Sequence, residues 1–136
     1  MQPVPINRLP MEKILIIEDH AEIRLLIRAT LDEDHREISE AADAASGWDA
    51  AVQIRPDIIL LDIMMPGDMD GLELCRCLKT DERTRQAKVV LVSARGHRND
   101  VSIGLDAGAD DYILKPFSPE RLAQTVRTLG LPQRRC

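Results

Sequence analysis

Residues 58–61 read Ile-Ile-Leu-Leu and are followed directly by Asp62. An uninterrupted run of apolar and β-branched residues is typical of a strand that is covered on both faces, as in a parallel sheet. Residues 14–17 (Ile-Leu-Ile-Ile) and 89–92 (Val-Val-Leu-Val) repeat the pattern. The three runs predict the buried strands of one sheet, and each run ends at a polar residue.

The segments between these runs complete an alternating pattern. Weaker strands are predicted at 37–39 and 112–114, and apolar residues at helical spacing predict helices between the strands. The predicted helices cover 23–31, 44–54, 72–79, 99–107 and the segment from Pro119 to about Leu129, with Ser118 as the last N-cap. Strands that alternate with helices pair in parallel through right-handed crossovers. We therefore predict an α/β fold: a doubly wound (βα)5 parallel sheet, flavodoxin-like, with strand order 2-1-3-4-5.

Two of these helices have clear apolar stripes, and Gly108 suits the position that follows the fourth helix. The predicted stripes are Ala45, Trp48, Ala51 and Val52 in the second helix, and Leu122, Val126 and Leu129 in the fifth.

Length and composition restrict the class of protein. A chain of 136 residues is long enough for one domain, and 18 basic against 23 acidic residues give a net charge of −5. This charge argues against direct binding of nucleic acid, and the 2% of aromatic residues argues against base-stacking platforms and flavin loops. No apolar run approaches the roughly 18 residues of a membrane span, and the start has no signal sequence. Three cysteines do not make a disulfide framework, so we expect a cytoplasmic protein.

The expected domain organisation is simple. Residues 1–10 contain three prolines and are predicted to be a flexible N-terminal arm, 11–130 the domain, and 131–136 a C-terminal tail. Because the sequence starts with Met, we expect a stand-alone protein, with a piece cut from a longer protein as the alternative.

Polar residues gather where the predicted strands end. Ligands of an open parallel sheet bind outside the carboxyl ends of its strands, at the point where the strand order reverses. Strands 1 and 3 are neighbours in the predicted order, so Glu18, Asp19 and Asp62 should converge. Ser93 follows strand 4 and Lys115 follows strand 5 at the same edge.

The chemistry of this set points to phosphoryl transfer. Convergent carboxylates repel one another unless a proton or a cation is bound. Oxygen-only ligands suit Mg²⁺, and we assign no His or Cys to the set, so zinc is not expected; His20 only borders the pocket. A carboxylate can form an aspartyl-phosphate. Lys115 would supply a positive charge and Ser93 a hydroxyl donor to the phosphoryl oxygens.

Five short motifs carry a resemblance to a known family. They are Glu18-Asp19, Asp62-Ile-Met-Met-Pro, Asp70-Gly71, Ser93-Ala94 and Tyr112-Ile-Leu-Lys115-Pro116-Phe. In this order, and at these strand ends, they resemble the receiver domain of bacterial two-component response regulators, in particular the stand-alone, chemotaxis-regulator-like members. The similarity extends from about Glu12 to about Leu129.

The resemblance implies a role for each site residue. It implies Asp62 as phosphoacceptor, with Ser93 and Lys115 contacting the phosphoryl group. It implies Mg²⁺ as cofactor. It implies Tyr112 as a switch residue and a cis bond between Lys115 and Pro116. The implied metal ligands are Glu18, Asp19, Asp62 and the backbone carbonyl of Met64.

Two departures from the family pattern have consequences. Asp68 is an extra residue between Gly67 and Met69, in the loop that follows the phosphoacceptor. Arg121 and Thr125 occupy positions where one branch of the family has an acid and an arginine that pair across a dimer, so we expect a monomer or a weak dimer.

The expected function is that of a two-component phosphorelay response regulator. A sensor histidine kinase or a histidine phosphotransfer protein would phosphorylate Asp62, and the face of helix 4, strand 5 and helix 5 would then switch its binding of a downstream protein target. Apart from its own phosphorylation and slow autodephosphorylation, no conventional enzyme activity is expected, and neither nucleic acid nor membrane is an expected partner.

Three other functions are alternatives. The first is a degenerate receiver that acts only as a protein-binding module, which the extra Asp68 keeps open. A Mg²⁺-dependent phosphohydrolase would need a second acid two residues after Asp62, where Met64 stands. A flavodoxin-like cofactor carrier is disfavoured because Glu18 and Asp19 would repel its phosphate.

Overall fold

The computed structural model describes residues 11–65, 67 and 69–130. The predicted arm at 1–10, the predicted tail at 131–136 and the extra loop residue Asp68 lie outside the described residues.

Strands and helices alternate along the described part of the chain. They are β1 (Glu12–Ile17), α1 (Ala21–Leu31), β2 (Arg36–Ala41), α2 (Ala44–Ile54), β3 (Ile58–Asp62), α3 (Gly71–Thr80), β4 (Lys88–Ser93), α4 (Arg98–Asp106), β5 (Asp111–Leu114) and α5 (Pro119–Leu129). Every predicted element is present. The largest extension is in β2, which includes three more residues than the predicted 37–39 because it pairs with β1 along its whole length.

The five strands form one parallel sheet in the order β2-β1-β3-β4-β5. This confirms the predicted α/β fold and its strand order. The central strand β3 is buried at every position. It pairs with β1 on one side and with β4 on the other, so the residues at the carboxyl ends of all three strands become neighbours.

Two apolar layers cover the sheet. Leu15 and Ile17 of β1 point into the layer that contains α2 and α3, whereas Ile14 and Ile16 point into the layer that contains α1 and α5. Because side chains alternate along a strand, a strand covered on both faces needs apolar residues at consecutive positions. This arrangement explains why the runs at 14–17 and 58–61 have no polar residue.

The predicted stripe of α2 is wrong in part. The buried residues of this helix are Ala44, Gly47 and Ala51, whereas Ala45 is exposed and Trp48 is half-buried at the margin of the core. A Cβ atom on Gly47 would lie 2.7 Å from Cδ1 of Ile17, so α2 approaches β1 too closely for a large residue to face the sheet. The stripe of α5 is confirmed, with Leu122 and Val126 fully buried and Leu129 half-buried.

The helix ends follow the predicted pattern. Ser118 accepts a hydrogen bond from the backbone N–H of Arg121, with Pro119 in the first turn, as expected for the start of α5. Gly108 follows α4 with a φ of +103°, a backbone conformation that glycine adopts without steric cost.

Cys75 is buried and Cys77 is half-buried, and both are free thiols. No helix in the described ranges combines the length and the apolarity that crossing a bilayer would require.

Candidate functional site at the carboxyl edge of the sheet

The strand ends bring the predicted side chains to one edge of the sheet. Ile17 of β1 pairs with Leu61 of β3, so the residues that follow them, Glu18 and Asp62, stand side by side. Ser93 ends β4, and its carbonyl accepts a hydrogen bond from the backbone N–H of Lys115 at 2.8 Å. The predicted convergence of polar residues is therefore present.

Lys115 is the positive charge of this group. Its Nζ lies 2.8 Å from Oε1 of Glu18 and 3.6 Å from Oδ2 of Asp62. The side chains of Glu18 and Asp62 are only 2% and 3% exposed, and that of Lys115 is 15% exposed. With Asp19 beside them, three carboxylates thus share one ammonium, and the group has an excess of negative charge.

The excess of negative charge affects the pKa of Asp62. Burial, followed by the charge of Glu18, raises the pKa of Asp62 to about 6. Lys115 and the backbone N–H of Met64, which donates to Oδ1 at 3.1 Å, lower the pKa but do not compensate. A buried carboxylate that holds its proton this tightly would be stabilised by an additional positive charge.

The donor set fits a divalent metal ion. Ligand atoms of Glu18, Asp19, His20 and Asp62 all lie within 4.8 Å of one another. Oδ1 of Asp19 is buried and accepts no hydrogen bond from the described residues, so it has a free lone pair. Carboxylate oxygens are the ligands that Mg²⁺ prefers. The acids therefore suit Mg²⁺, the ion predicted from the sequence.

The structure places the imidazole of His20, which the sequence put at the border of the pocket, in direct contact with the acids. Nδ1 of His20 lies 3.2 Å from Oε2 of Glu18 and 3.3 Å from Oδ1 of Asp19. His20 is the N-cap residue of α1, and the chain turns there so that residue 20 folds back over the acids that precede it. The adjacency of His20 to Glu18 and Asp19 in the sequence is the signal that could have indicated this contact.

Ser93 and Tyr112 are placed at the junction of β4 and α4. Ser93 is fully buried, and its Oγ accepts a hydrogen bond from the backbone N–H of Arg95 at 3.1 Å. Tyr112 is 6% exposed, and its hydroxyl donates to the carbonyl of Arg95 at 2.6 Å. Burial is the main cause that raises the pKa of Tyr112. One residue, Arg95, thus contacts both side chains.

The loop after Asp62 is fixed by the Asp70-Gly71 motif. Asp70 caps α3 by accepting a hydrogen bond from the backbone N–H of Glu73 at 2.9 Å, and Gly71 donates to the carbonyl of Ile63 at 3.0 Å. A Cβ atom on Gly71 would collide with the carbonyl oxygen of Asp62. The motif therefore sets the position of the strand end that bears Asp62. At the opposite side of the site, the Lys115–Pro116 bond is cis, as the resemblance implies.

The sequence did not reveal Arg24, which binds the backbone of the loop that carries Glu18 and Asp19. Its Nη1 donates to the carbonyl of Glu18 at 2.7 Å, and its Nε donates to Oε1 of Glu40 on β2 at 3.0 Å. Arg24 lies in the first turns of α1, where a basic residue is common on a solvated helix face. Nothing in its local pattern distinguishes it, since its partners come from other elements.

Comparison with known proteins gives one family. The family model described as the response regulator receiver domain matches residues 14–127. One curated relative is the DNA-binding dual master transcriptional regulator RpaA of Synechocystis sp., which is 40% identical over 119 residues, 88% of this chain and 49% of that protein. The response regulator PleD of Caulobacter vibrioides is 44% identical over 118 residues, 86% of this chain and 26% of that protein. The chain thus spans half or less of the length of these relatives.

Solved structures agree with the sequence comparison. The chemotaxis protein CheY4 of Vibrio cholerae superimposes with a TM-score of 0.80 at 27% identity, covering 88% of this chain and 98% of that chain. The described sheet and helices therefore match nearly all of that solved chain.

Proposed function

This chain belongs to the family of response regulator receiver domains, and on that premise we propose that it accepts a phosphoryl group on Asp62 from a histidine kinase or a histidine phosphotransfer protein. Receiver domains generally bind Mg²⁺ at their acidic pocket. The observation that carries the proposal is the environment of Asp62, a 3% exposed carboxylate at a strand end with Lys115 Nζ 3.6 Å away and Glu18 beside it. Such a group is poorly explained as a simple end of a strand.

Mg²⁺ would be held by Glu18, Asp19 and Asp62, with the backbone carbonyl of Met64 as the fourth protein ligand. When bound, the ion neutralises the acids and the incoming phosphoryl group, so that two anions can approach each other. The free lone pair of Asp19 and the raised pKa of Asp62 both support this role, because one marks a carboxylate oxygen without a hydrogen bond and the other a carboxylate whose burial and negative neighbour outweigh Lys115.

The proposed transfer is a substitution at phosphorus. A carboxylate oxygen of Asp62 attacks the phosphorus atom of the donor phosphohistidine, the new O–P bond forms, and the N–P bond breaks. The donor imidazole leaves with that electron pair. The Lys115 ammonium and the Ser93 hydroxyl donate hydrogen bonds to the phosphoryl oxygens. Autodephosphorylation follows when water attacks the phosphorus atom and Asp62 leaves as the free carboxylate.

The proposed switch starts at Ser93. When its hydroxyl turns to the phosphoryl group, the hydrogen bond with Arg95 N–H changes, and the Arg95 carbonyl that Tyr112 contacts moves with it. The readout face is α4–β5–α5, where Ile103, Leu105 and Leu114 are between 45% and 47% exposed. A downstream protein target would bind to this face. The protein would act in the cytoplasm. The chain would act as a monomer or a weak dimer, without direct contact with nucleic acid.

The mass of the intact protein after incubation with acetyl phosphate and Mg²⁺ tests the proposal. We expect one phosphoryl adduct on the wild type, its loss when Mg²⁺ is chelated, and no adduct on Asp62→Asn. Glu37→Gln is the matched control, because Glu37 is an exposed acid near the amino end of β2, away from the pocket, and we expect it to be labelled like the wild type.

Other outcomes separate the alternatives. An adduct that persists in Asp62→Asn would overturn the assignment of Asp62. A folded wild type that binds Mg²⁺ but takes no phosphoryl group, from acetyl phosphate or from a phosphorylated histidine donor, would favour a degenerate receiver that only binds proteins. Rapid release of inorganic phosphate without an adduct would favour a phosphohydrolase, although the side chain of Met64 is half exposed where such an enzyme needs a second acid.

A further inference from the structure

We propose that His20 is an additional ligand of the metal pocket and shifts its preference from Mg²⁺ toward first-row transition-metal ions, with Co²⁺ as the measurable representative. This inference rests on the proposed function, since it concerns the same pocket, but it assigns a property that the three acids alone would not give.

The spacing of the ligand atoms supports one shared ion. In an octahedral site with bonds of about 2.1 Å, neighbouring ligand atoms are about 3.0 Å apart and opposite ones about 4.2 Å apart. Nδ1 of His20 lies 3.2 Å from Oε2 of Glu18 and 3.3 Å from Oδ1 of Asp19, close to the separation of neighbouring ligands. With Asp62 included, the whole set spans at most 4.8 Å, so shifts of a few tenths of an ångström suffice.

The His20 ring contacts the pocket acids, with a hydrogen bond between Nδ1 and Oε2 of Glu18 at 3.2 Å, and most of its surface is exposed to solvent. It is 64% exposed, and although His20 is the N-cap residue of α1, its side chain makes no capping hydrogen bond. The backbone is held separately, because the His20 N–H donates to Oε2 of Glu18 at 3.1 Å. Rotation of the ring therefore disturbs neither the helix nor the core.

The buried Oδ1 of Asp19 is a second, independent observation. It accepts no hydrogen bond from the described residues although His20 Nδ1 is 3.3 Å away, so the pair lacks the geometry of a hydrogen bond. Nδ1 of His20 is within hydrogen-bond distance of Oε2 of Glu18, but it leaves the buried Oδ1 of Asp19 without a hydrogen bond. A bound ion would give this oxygen the partner that the ring does not.

The identity of the donor atom decides the selectivity. Imidazole nitrogen binds late first-row metals much better than it binds Mg²⁺, which prefers oxygen ligands and retains its waters. When imidazole replaces a water molecule on the ion, Co²⁺ is held more tightly, whereas Mg²⁺ gains little. If His20 instead acted only as a hydrogen-bond donor to the acids, its removal would change the affinity for both ions by the same factor.

Calorimetric titration with Mg²⁺ and with Co²⁺ distinguishes these cases. The variants are wild type, His20→Ala, His20→Asn, which keeps a hydrogen-bond donor, and His35→Ala, a matched control whose exposed imidazole lies just before β2 at the far edge of the sheet. We expect both His20 variants to lose about tenfold or more in Co²⁺ affinity, since loss of a ligand should cost no less than loss of a group that only supports one. The affinity for Mg²⁺ should change less than about threefold.

Visible absorption of bound Co²⁺ gives a readout that does not depend on phosphorylation. The Co²⁺ bands of the wild type should shift in His20→Ala and not in His35→Ala, and Asp62→Asn should weaken Co²⁺ binding because it removes a ligand of the same pocket. Equal loss of both metals in the His20 variants, or unchanged Co²⁺ bands, would overturn the inference. Mg²⁺ binding together with the Asp62 adduct would then leave the proposed function intact, whereas a wild type that binds neither ion would overturn both.

Discussion

The buried environment of Asp62 that suits its proposed function lowers the stability of the fold at neutral pH. Its carboxylate is buried beside Glu18, and these two causes raise its pKa from an ordinary value of 3.8 to about 6. The folded state therefore holds the proton more tightly than the unfolded chain does. The stabilisation from the protonated form is present below about pH 4 and is lost as the pH rises through about 6.

We therefore expect Asp62→Asn to stabilise the fold at pH 7 in the absence of divalent metal. The difference between 3.8 and about 6, which already includes the attraction to Lys115, corresponds to about 3 kcal/mol, so we expect a gain of about 1–3 kcal/mol. Urea unfolding with a chelator present, at pH 7 and at pH 4, measures this gain. It should be small at pH 4, where the wild-type carboxyl is protonated as well.

Asp49→Asn is the control for this measurement, because Asp49 is an exposed acid on α2. It should change the free energy of unfolding by less than about 0.5 kcal/mol at either pH. A destabilised Asp62→Asn at pH 7 would mean that the ion pair with Lys115 outweighs burial and the charge of Glu18.

Lys115 should matter more for the switch than for the metal. In Lys115→Ala, Glu18 loses its 2.8 Å partner and becomes free for Mg²⁺, so Mg²⁺ affinity should be unchanged or higher. The phosphorylated variant, however, lacks the ammonium that draws the phosphoryl oxygens into place. Because Tyr112 is the chain's single tyrosine, its ring signals in NMR report the switch directly, and they should change with phosphorylation in the wild type but not in Lys115→Ala.

Lys88→Ala is the matched control for Lys115, because Lys88 is exposed at the start of β4, at the other end of the sheet. Its Tyr112 signals should respond to phosphorylation as in the wild type. An equal response in Lys115→Ala would contradict the role of Lys115.

At the scale of the elements, the strands were easier to predict than the helix faces. The runs at 14–17, 58–61 and 89–92 are apolar at every position, and such short runs rich in β-branched residues are typical of strands covered on both sides. The face of α2 was misjudged because it depends on distance rather than on hydrophobicity. The Gly47 side of the helix contacts Ile17, and Trp48 is displaced to the margin, where the Arg83 guanidinium lies 5.6 Å from its ring centre.

The same kind of close contact in α4 gives a prediction about Tyr112. A Cβ atom on Gly104 would lie 2.8 Å from Cδ1 of Leu91 and 3.0 Å from Cδ2 of Tyr112. Gly104→Ala favours the helix by about 1 kcal/mol, but the overlap should outweigh this gain and push the tyrosine ring outward. The pKa of Tyr112, which burial raises, should then fall toward its ordinary value.

Titration of tyrosine absorbance measures this change, because no other residue of the chain contributes a phenol. Ser102→Ala, at an exposed position of the same helix, should leave the titration where it is in the wild type. An unchanged titration in Gly104→Ala would show that α4 moves as a unit instead of displacing the ring.

At the scale of the whole molecule, the carboxyl and amino edges of the sheet differ in how their charged side chains are paired. At the carboxyl edge the acids outnumber the positive charges beside them. At the amino edge there is a buried ion pair in which Arg36 Nε donates to Oε1 of Glu12 at 2.8 Å. The gathering of acids at the carboxyl edge could be predicted, because the strand order alone places Glu18 next to Asp62. The roles of Arg36 and Arg24 could not be predicted, because each depends on side chains that reach across neighbouring elements.

Substitutions at the two edges of the sheet should change the free energy of unfolding independently of each other. Glu12→Gln removes one charge of a pair whose side chains are 5% and 8% exposed, and we expect it to destabilise the fold by about 2–3 kcal/mol. Asp62→Asn should stabilise the fold, as argued above. Glu18, which lies beside Asp62, follows Glu12 by six residues, so the two positions are about 20 Å apart, and effects at that distance add within about 0.5 kcal/mol.

Urea unfolding of the wild type, both single variants and the double variant, in chelator at pH 7, completes this cycle. The double variant should equal the sum of the single effects, and Glu12→Gln alone should keep the wild-type affinity for Mg²⁺. A coupling above about 1 kcal/mol would mean that the sheet transmits strain from one edge to the other. In that event β1 itself would belong to the switch, and the response to phosphorylation would extend beyond the face formed by α4, β5 and α5.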